Sequence, residues 1–238
     1  MPAAAPDEPP AGDDPPNRAP ARRGRRTTRV KICGLNDEAS VDAVAAGRAD
    51  YAGFVFFPPS PRVVSAEYAA DLAARLPAGI HRVGLFVAPS QAHVAAVLRA
   101  VHLDVLQLYS AAGPADRWRA WFGAEIWTAH GISRADDLPD DADGADALVI
   151  EAKPPPEATR PGGNALRFDW TLLPGWRAPA PWLLAGGLTP ENVADGIAAS
   201  GARGVDVSSG VETAPGVKDP ARIAAFITRA RAAFAAGQ

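Results

Sequence analysis

Two segments near opposite ends of the chain hold the residues best suited to chemistry: Arg29-Val30-Lys31-Ile32-Cys33-Gly34-Leu35 and Gly204-Val205-Asp206-Val207-Ser208-Ser209-Gly210-Val211-Glu212. Each starts as a short β-branched run and ends abruptly in small and polar residues. The first puts the single cysteine of the chain at a strand tip; the second puts two serines and a glycine at another. A lone thiol at one tip and a small-residue nest for an anion at the other point to an active site. A free thiol titrates near ~8.5, so work as a thiolate at neutral pH needs a cation nearby. Lys31, two residues away and on the same face of a strand, is placed to supply it. The competing reading is a buried, inert cysteine, the commoner fate of a lone Cys.

The elements that must position these residues alternate regularly. Strand-like apolar runs lie near 29–33, 51–57, 82–87, 103–109, 125–130, 146–151, 181–185 and 203–207. Ala-rich helical patterns fill 37–47, 65–76, 90–101, 114–122, 190–200 and 219–235, and the remaining gaps hold only short or irregular helices at 133–138 and 169–173. Asn36 or Asp37 can cap the first helix, while Ser65-Ala66-Glu67 and Thr189-Pro190-Glu191 read as helix starts. Eight strands with eight crossovers over roughly 210 residues predict a (β/α)8 TIM barrel of the α/β class. A Rossmann sheet is the structural rival, but no G-x-G-x-x-G follows the first strand. A barrel builds its site at the C-terminal strand ends. The unusual residues sit there: Cys33, Ser60-Pro61-Arg62, Gln107, Glu151, Gly186-Gly187, and Asp206 to Ser209.

Composition narrows the function classes. A net charge of −3 disfavours a general nucleic-acid binder. One cysteine excludes an internal disulfide framework and fits a reducing, cytoplasmic setting. No apolar run approaches the roughly 18–20 residues of a membrane span. The four histidines, His81, His93, His102 and His130, lack ligand spacing, so no metal is expected. Residues 1–28 form a separate Pro/Ala-rich stretch with early acids and late arginines. It lacks the apolar core of a secretory signal and reads as a disordered tail, leaving 29–238 as the catalytic domain. The Arg22–Arg26 cluster reads as solvated tail in preference to an RNA or lipid contact.

The ordered motifs resemble phosphoribosylanthranilate isomerase, a family of tryptophan and hence aromatic amino-acid biosynthesis. The matching stretches are Val30–Gly34, Gly53-Phe54-Val55-Phe56-Phe57-Pro58-Pro59-Ser60-Pro61-Arg62, Val83–Val87, Leu103–Leu108, Leu184-Ala185-Gly186-Gly187-Leu188-Thr189-Pro190-Glu191-Asn192-Val193 and Gly204–Glu212, continuing as Pro215-Gly216-Val217-Lys218-Asp219. They occur in order from residue 29 to about 235. The resemblance implies an intramolecular aldose–ketose isomerase. It would turn N-(5-phosphoribosyl)anthranilate into 1-(2-carboxyphenylamino)-1-deoxyribulose 5-phosphate by an acid/base Amadori rearrangement, with no cofactor.

On this resemblance Cys33 is the general base and Glu151 the general acid. Arg62 clamps the anthranilate carboxylate, a task that suits its planar fork. Gly186, Gly187, Ser208, Ser209 and Gly210 bind phosphate through closely approached backbone N–H groups. Gln107 and Asp206 contact substrate, Asp206 having a buried bond to Lys31 as its alternative role. The partner is a phosphorylated small molecule, with no nucleic acid or membrane, and a monomer or homodimer would suit the barrel.

Three departures from the family pattern matter. Glu151 replaces an aspartate, and a surface pair with Lys153 is its competing role. Tyr109-Ser110 replaces His-Gly after the fourth strand. In the loop Pro161-Gly162-Gly163-Asn164-Ala165-Leu166, Ala165 and Leu166 replace Gly and Lys. A phosphosugar-binding barrel with weak or no turnover is therefore the alternative. A neighbouring histidine- or tryptophan-pathway isomerase is the other rival, and histidine-pathway isomerases use paired aspartates instead of the Lys31–Gly34 start.

Overall fold

The computed structural model describes residues 28–155, 162 and 166–237. The tail at 1–27 and the positions Asn164 and Ala165 lie outside the described residues. Eight parallel strands close into a barrel: β1 (Arg29–Cys33), β2 (Tyr51–Val55), β3 (His81–Val87), β4 (Val105–Tyr109), β5 (Glu125–Ile132), β6 (Ala147–Ala152), β7 (Trp182–Leu184) and β8 (Gly204–Val207). Closure comes from β1 pairing with β8, Lys31 opposite Asp206.

Six helices return the chain: α1 (Glu38–Gly47), α2 (Ala66–Ala74), α3 (Gln91–Ala100), α4 (Ala115–Phe122), α5 (Val193–Ser200) and α6 (Pro220–Ala236). Four of their starts are fixed by side chains that satisfy otherwise orphaned N–H groups. Asp37 accepts from Ser40 N, Ser65 from Tyr68 N, Ser90 from His93 N, and Asp219 from Ala221 N with Pro220 in the first turn. Of the two candidates for the first cap, Asp37 performs it; Asn36 instead donates to Gly216 O at 2.9 Å.

Helix α5 begins three residues later than the Thr189-Pro190-Glu191 signal predicts. Asn192 accepts from Thr189 N and donates to Gly187 O, closing a turn that must finish before the helix begins. Among the described residues, the fifth and sixth crossovers carry only 3₁₀ turns, at Ala135–Asp137 and Trp170–Leu172. In the first of these, Asp137 gathers the backbone N–H groups of Ser133 and Arg134, which favours a tight turn over a helix. A short hairpin, β9 (Glu212–Ala214) with β10 (Val217–Lys218), follows β8 and was not anticipated from sequence.

Alternation along the strands splits the interior in two. Val30, Ile32, Phe54, Leu106, Ile150 and Val205 pack outward against the helices in the main core. Tyr51, Val83, Val105, Trp127, Val149 and Leu183 fill the barrel axis. Lys31 and Gln107 join that inner layer fully buried, so the floor of the barrel is apolar with two polar groups rising toward the strand tips. No described helix is long and apolar enough to cross a membrane.

Candidate active site

The strand tips line a pocket that is partly open to solvent. Cys33, Arg62, Glu151, Gly186, Gly187, Asp206, Ser208 and Ser209 all line it, together with Tyr109, Gly162 and Leu166. Residues separated by up to 176 positions are thus brought to one cavity by the ends of β1, β2, β4, β6, β7 and β8.

Cys33 is a buried free thiol on the inner face of β1. Burial pushes its pKa up, and the Asp206 carboxylate adds to that push; Lys31 and Lys218 pull the other way without overcoming it. Lys31 donates to Asp206 at 2.9 Å across the β1–β8 seam. Burial alone would depress Lys31, but Asp206 and Cys33 reverse the effect and hold its pKa above the ordinary lysine value. The pairing of Asp206 with Lys31 is therefore present, yet it uses only Oδ2. Among the described residues Asp206 Oδ1 is buried without a hydrogen-bond partner, and Asp206 still lines the pocket.

Glu151 faces the same cavity from the end of β6. Its pKa is pushed up to about 8, chiefly by burial; the Tyr109 hydroxyl and Lys31 act against the shift and Asp206 with it. The competing surface pair with Lys153 does not form: Glu151 is buried while Lys153 is exposed. Strand β6 stops at Ala152, so the alternation that turns Glu151 inward does not extend to Lys153.

Arg62 is almost wholly buried below the loop that follows β2. It makes a two-point pair with Glu212, Nε to Oε1 at 2.6 Å and Nη2 to Oε2 at 2.8 Å. Lys218 donates to the same carboxylate at 2.7 Å and to Ser208 O at 2.9 Å. Burial would raise the Glu212 pKa, but the two cations hold it below the usual value. Glu212 and Lys218 belong to the last sequence motif, which by itself assigns them no role. Their opposite charges six residues apart across a Pro-Gly turn were the available signal.

Two expected ligand contacts sit elsewhere. Gln107 is fully buried and does not line the pocket; its Nε2 donates to the Tyr109 hydroxyl at 3.2 Å. Gly210 also lies off the pocket wall. A Cβ there would fall 1.8 Å from Leu188 O, so the glycine is what lets the loop after β8 close on the loop after β7. Arg222 ties the same two loops, donating to Gly210 O and pairing with Glu191. Among the described residues no group of His, Cys, Asp and Glu is arranged to hold a metal ion.

The site therefore gathers a thiol, a protonatable carboxyl, an arginine and two Gly/Ser loops around one cavity, with Lys218 linking the Arg62–Glu212 pair to Ser208. Comparison with known proteins gives this arrangement a family. The model for N-(5'-phosphoribosyl)anthranilate (PRA) isomerase matches residues 30–229. A relative from Acidiphilium cryptum (strain JF-5), named N-(5'-phosphoribosyl)anthranilate isomerase, is 53% identical over 205 residues, covering 86% of this chain and 99% of its own. Among solved structures, a phosphoribosyl anthranilate isomerase in complex with reduced 1-(o-carboxyphenylamino)-1-deoxyribulose 5-phosphate is 32% identical, with a TM-score of 0.71 over 86% of this chain and 99% of that one. Monomers generated from the dimeric phosphoribosylanthranilate isomerase of Thermotoga maritima are 33% identical, with a TM-score of 0.71 and the same coverage of both chains. The chain belongs to the N-(5'-phosphoribosyl)anthranilate isomerase family.

Proposed function

We propose that this chain isomerises N-(5'-phosphoribosyl)anthranilate to 1-(2-carboxyphenylamino)-1-deoxyribulose 5-phosphate in tryptophan biosynthesis, with Glu151 as acid and Cys33 as base. The observation that supports this assignment of roles is that both line one pocket together with Arg62 and the two Gly/Ser loops. Glu151 keeps its proton up to about pH 8. It is thus charged with a proton at neutral pH and can pass it to the furanose oxygen. The C1′–O bond then breaks, the former ring oxygen becomes the C4′ hydroxyl, and the nitrogen lone pair forms the iminium.

Cys33 next removes the proton from C2′, and its electrons flow to the iminium nitrogen to give the enolamine. Burial makes the thiolate scarce but a strong base. Lys31 and Lys218 partly offset the scarcity. Proton return at C1′ and loss of the C2′ hydroxyl proton complete the aminoketose, so the reaction balances without an oxidant or reductant. Because Cys33 and Glu151 both feel Lys31 and Asp206, a bell-shaped rate profile would report values belonging to the cluster.

Arg62 holds the anthranilate carboxylate, Glu212 keeping its guanidinium plane fixed. The backbone of Gly186, Gly187, Ser208 and Ser209 receives the phosphate. The unpartnered Asp206 Oδ1 is available to the substrate amine. All these groups come from one chain, so either a monomer or a homodimer would serve. A cytoplasmic location suits a buried free thiol.

The test is steady-state turnover of freshly generated substrate, followed by loss of its fluorescence, in wild type, Cys33→Ala and Glu151→Gln. Turnover in the wild type that collapses in both variants supports the assignment. Wild-type protein that binds the reduced product analogue but turns nothing over would sink it, in favour of a phosphosugar-binding barrel.

A further inference from the structure

The two strand-end positions at which this chain departs from the family pattern, Glu151 and Tyr109, line the same pocket and lie close together, each acting on the other's proton affinity. Strand β4 explains how. Gln107 and Tyr109 lie two residues apart and point to the same inner face; Gln107 is fully buried and Tyr109 rises above it to the pocket wall. Gln107 Nε2 donates to the Tyr109 oxygen at 3.2 Å. A phenol carries one proton. With its oxygen accepting from Gln107, that proton is left to donate elsewhere, and the Glu151 carboxyl is its neighbour at the pocket wall.

The chain at Gly162 roofs the pair. A Cβ there would stand 2.8 and 3.0 Å from the two Glu151 carboxyl oxygens and 3.0 Å from the Tyr109 hydroxyl. Carboxyl, phenol and roof thus converge within one small volume, and any side chain larger than hydrogen would displace them.

We infer that Tyr109 is a positioning residue for the acid: its hydroxyl, anchored by Gln107, occupies one oxygen of Glu151 and so leaves the transferable proton on the other oxygen, toward the substrate. A carboxyl free to rotate would present its proton to the pocket only part of the time. A carboxyl able to donate to Tyr109 would waste it. The inference rests on the proposed role of Glu151 as acid. It is consistent with the direction in which Tyr109 acts on Glu151, drawing it down against the larger effect of burial.

The experiment is an infrared titration of the ligand-free protein, reading the protonated Glu151 carbonyl band by its loss in Glu151→Gln. It is run on wild type, Tyr109→Phe and Gln107→Leu, with kcat and KM measured alongside. Tyr109→Phe should raise the proton affinity of Glu151 about tenfold, the size of one hydrogen bond to a charged group. It should also lower kcat by about 10- to 100-fold at near-constant KM. Gln107→Leu should move both readouts the same way, and stands in if Tyr109→Phe fails to fold. A fall in kcat with the Glu151 titration unmoved in a folded variant would overturn the inference, since a purely structural tyrosine predicts that result. The titration needs no turnover: a shifted band in a protein with no isomerase activity would indict the proposed function and not the Tyr109–Glu151 link.

Discussion

Glu212 grips Arg62 at two points, 2.6 Å from Nε and 2.8 Å from Nη2, and both side chains are at least 96% buried. The same carboxylate receives Lys218 at 2.7 Å. One anion therefore serves two buried cations, and it connects the loop after β2 to the hairpin after β8.

Removing that anion should be severe. Glu212→Gln removes the carboxylate that two buried cations share, and breaking such a pair costs about 3–5 kcal/mol. Urea unfolding should show a loss of that order, and KM should rise as Arg62 loses its fixed plane. The pH dependence has a definite sign. The folded-state pKa of Glu212 lies below its ordinary value, so its contribution is present above the unfolded value and fades as pH falls through the folded one. Wild type should lose stability on acidification in that window, and Glu212→Gln should not show this component.

Glu151 carries the opposite sign. Its folded pKa of about 8 lies above its model-peptide value of 4.5. Its contribution to stability is fully present below 4.5 and is lost as pH rises toward 8. Glu151→Gln should therefore gain on wild type as pH increases across this range, even while its turnover falls by about 10²–10⁴-fold, the usual worth of a general acid. Melting temperatures measured from pH 5 to 8.5 would show it; parallel curves for the two proteins would refute the buried, protonated carboxyl.

Cys33→Ala should reduce kcat by about 10²–10⁴-fold with little change in KM, because the thiol acts on C2′ and holds neither end of the substrate. A matched rise in KM would instead assign Cys33 to binding. Single-turnover kinetics separate the two.

Gly210→Ala should weaken phosphate binding. The added methyl would overlap Leu188 O, which is backbone and cannot turn aside. Overpacking of this kind costs about 1–3 kcal/mol, or roughly ten- to a hundredfold if it falls wholly on binding. Competitive inhibition by inorganic phosphate should weaken accordingly, with inhibition by anthranilate largely retained.

Ser110 is held at φ +49°, a left-handed conformation costly for a residue with a Cβ. Ser110→Gly should stabilise the fold by about 0.5–1 kcal/mol, the relief of strain exceeding the added freedom of the unfolded chain. A small upward shift in the melting temperature would bear this out. It also gives a physical reason why the family pattern carries glycine at this position.

The barrel was legible in the sequence because its signal is local. Runs such as Val30–Cys33 and Leu148–Glu151 alternate with capped Ala-rich helices, and period and cap chemistry act within a few residues. The pocket-lining positions of Cys33, Arg62, Glu151, Asp206 and the two Gly/Ser loops followed, since strand ends in a barrel share one face. What only tertiary structure decided was pairing across strands. Register placed Lys31 opposite Asp206, 175 positions away. The unforeseen β9–β10 hairpin put Glu212 between Arg62 and Lys218. The depth of β4 dropped Gln107 beneath the pocket, leaving Tyr109 to meet Glu151. These are questions of which charge or hydrogen-bond partner lies within about 3 Å, and such distances depend on the closure of the whole barrel, which no local pattern encodes.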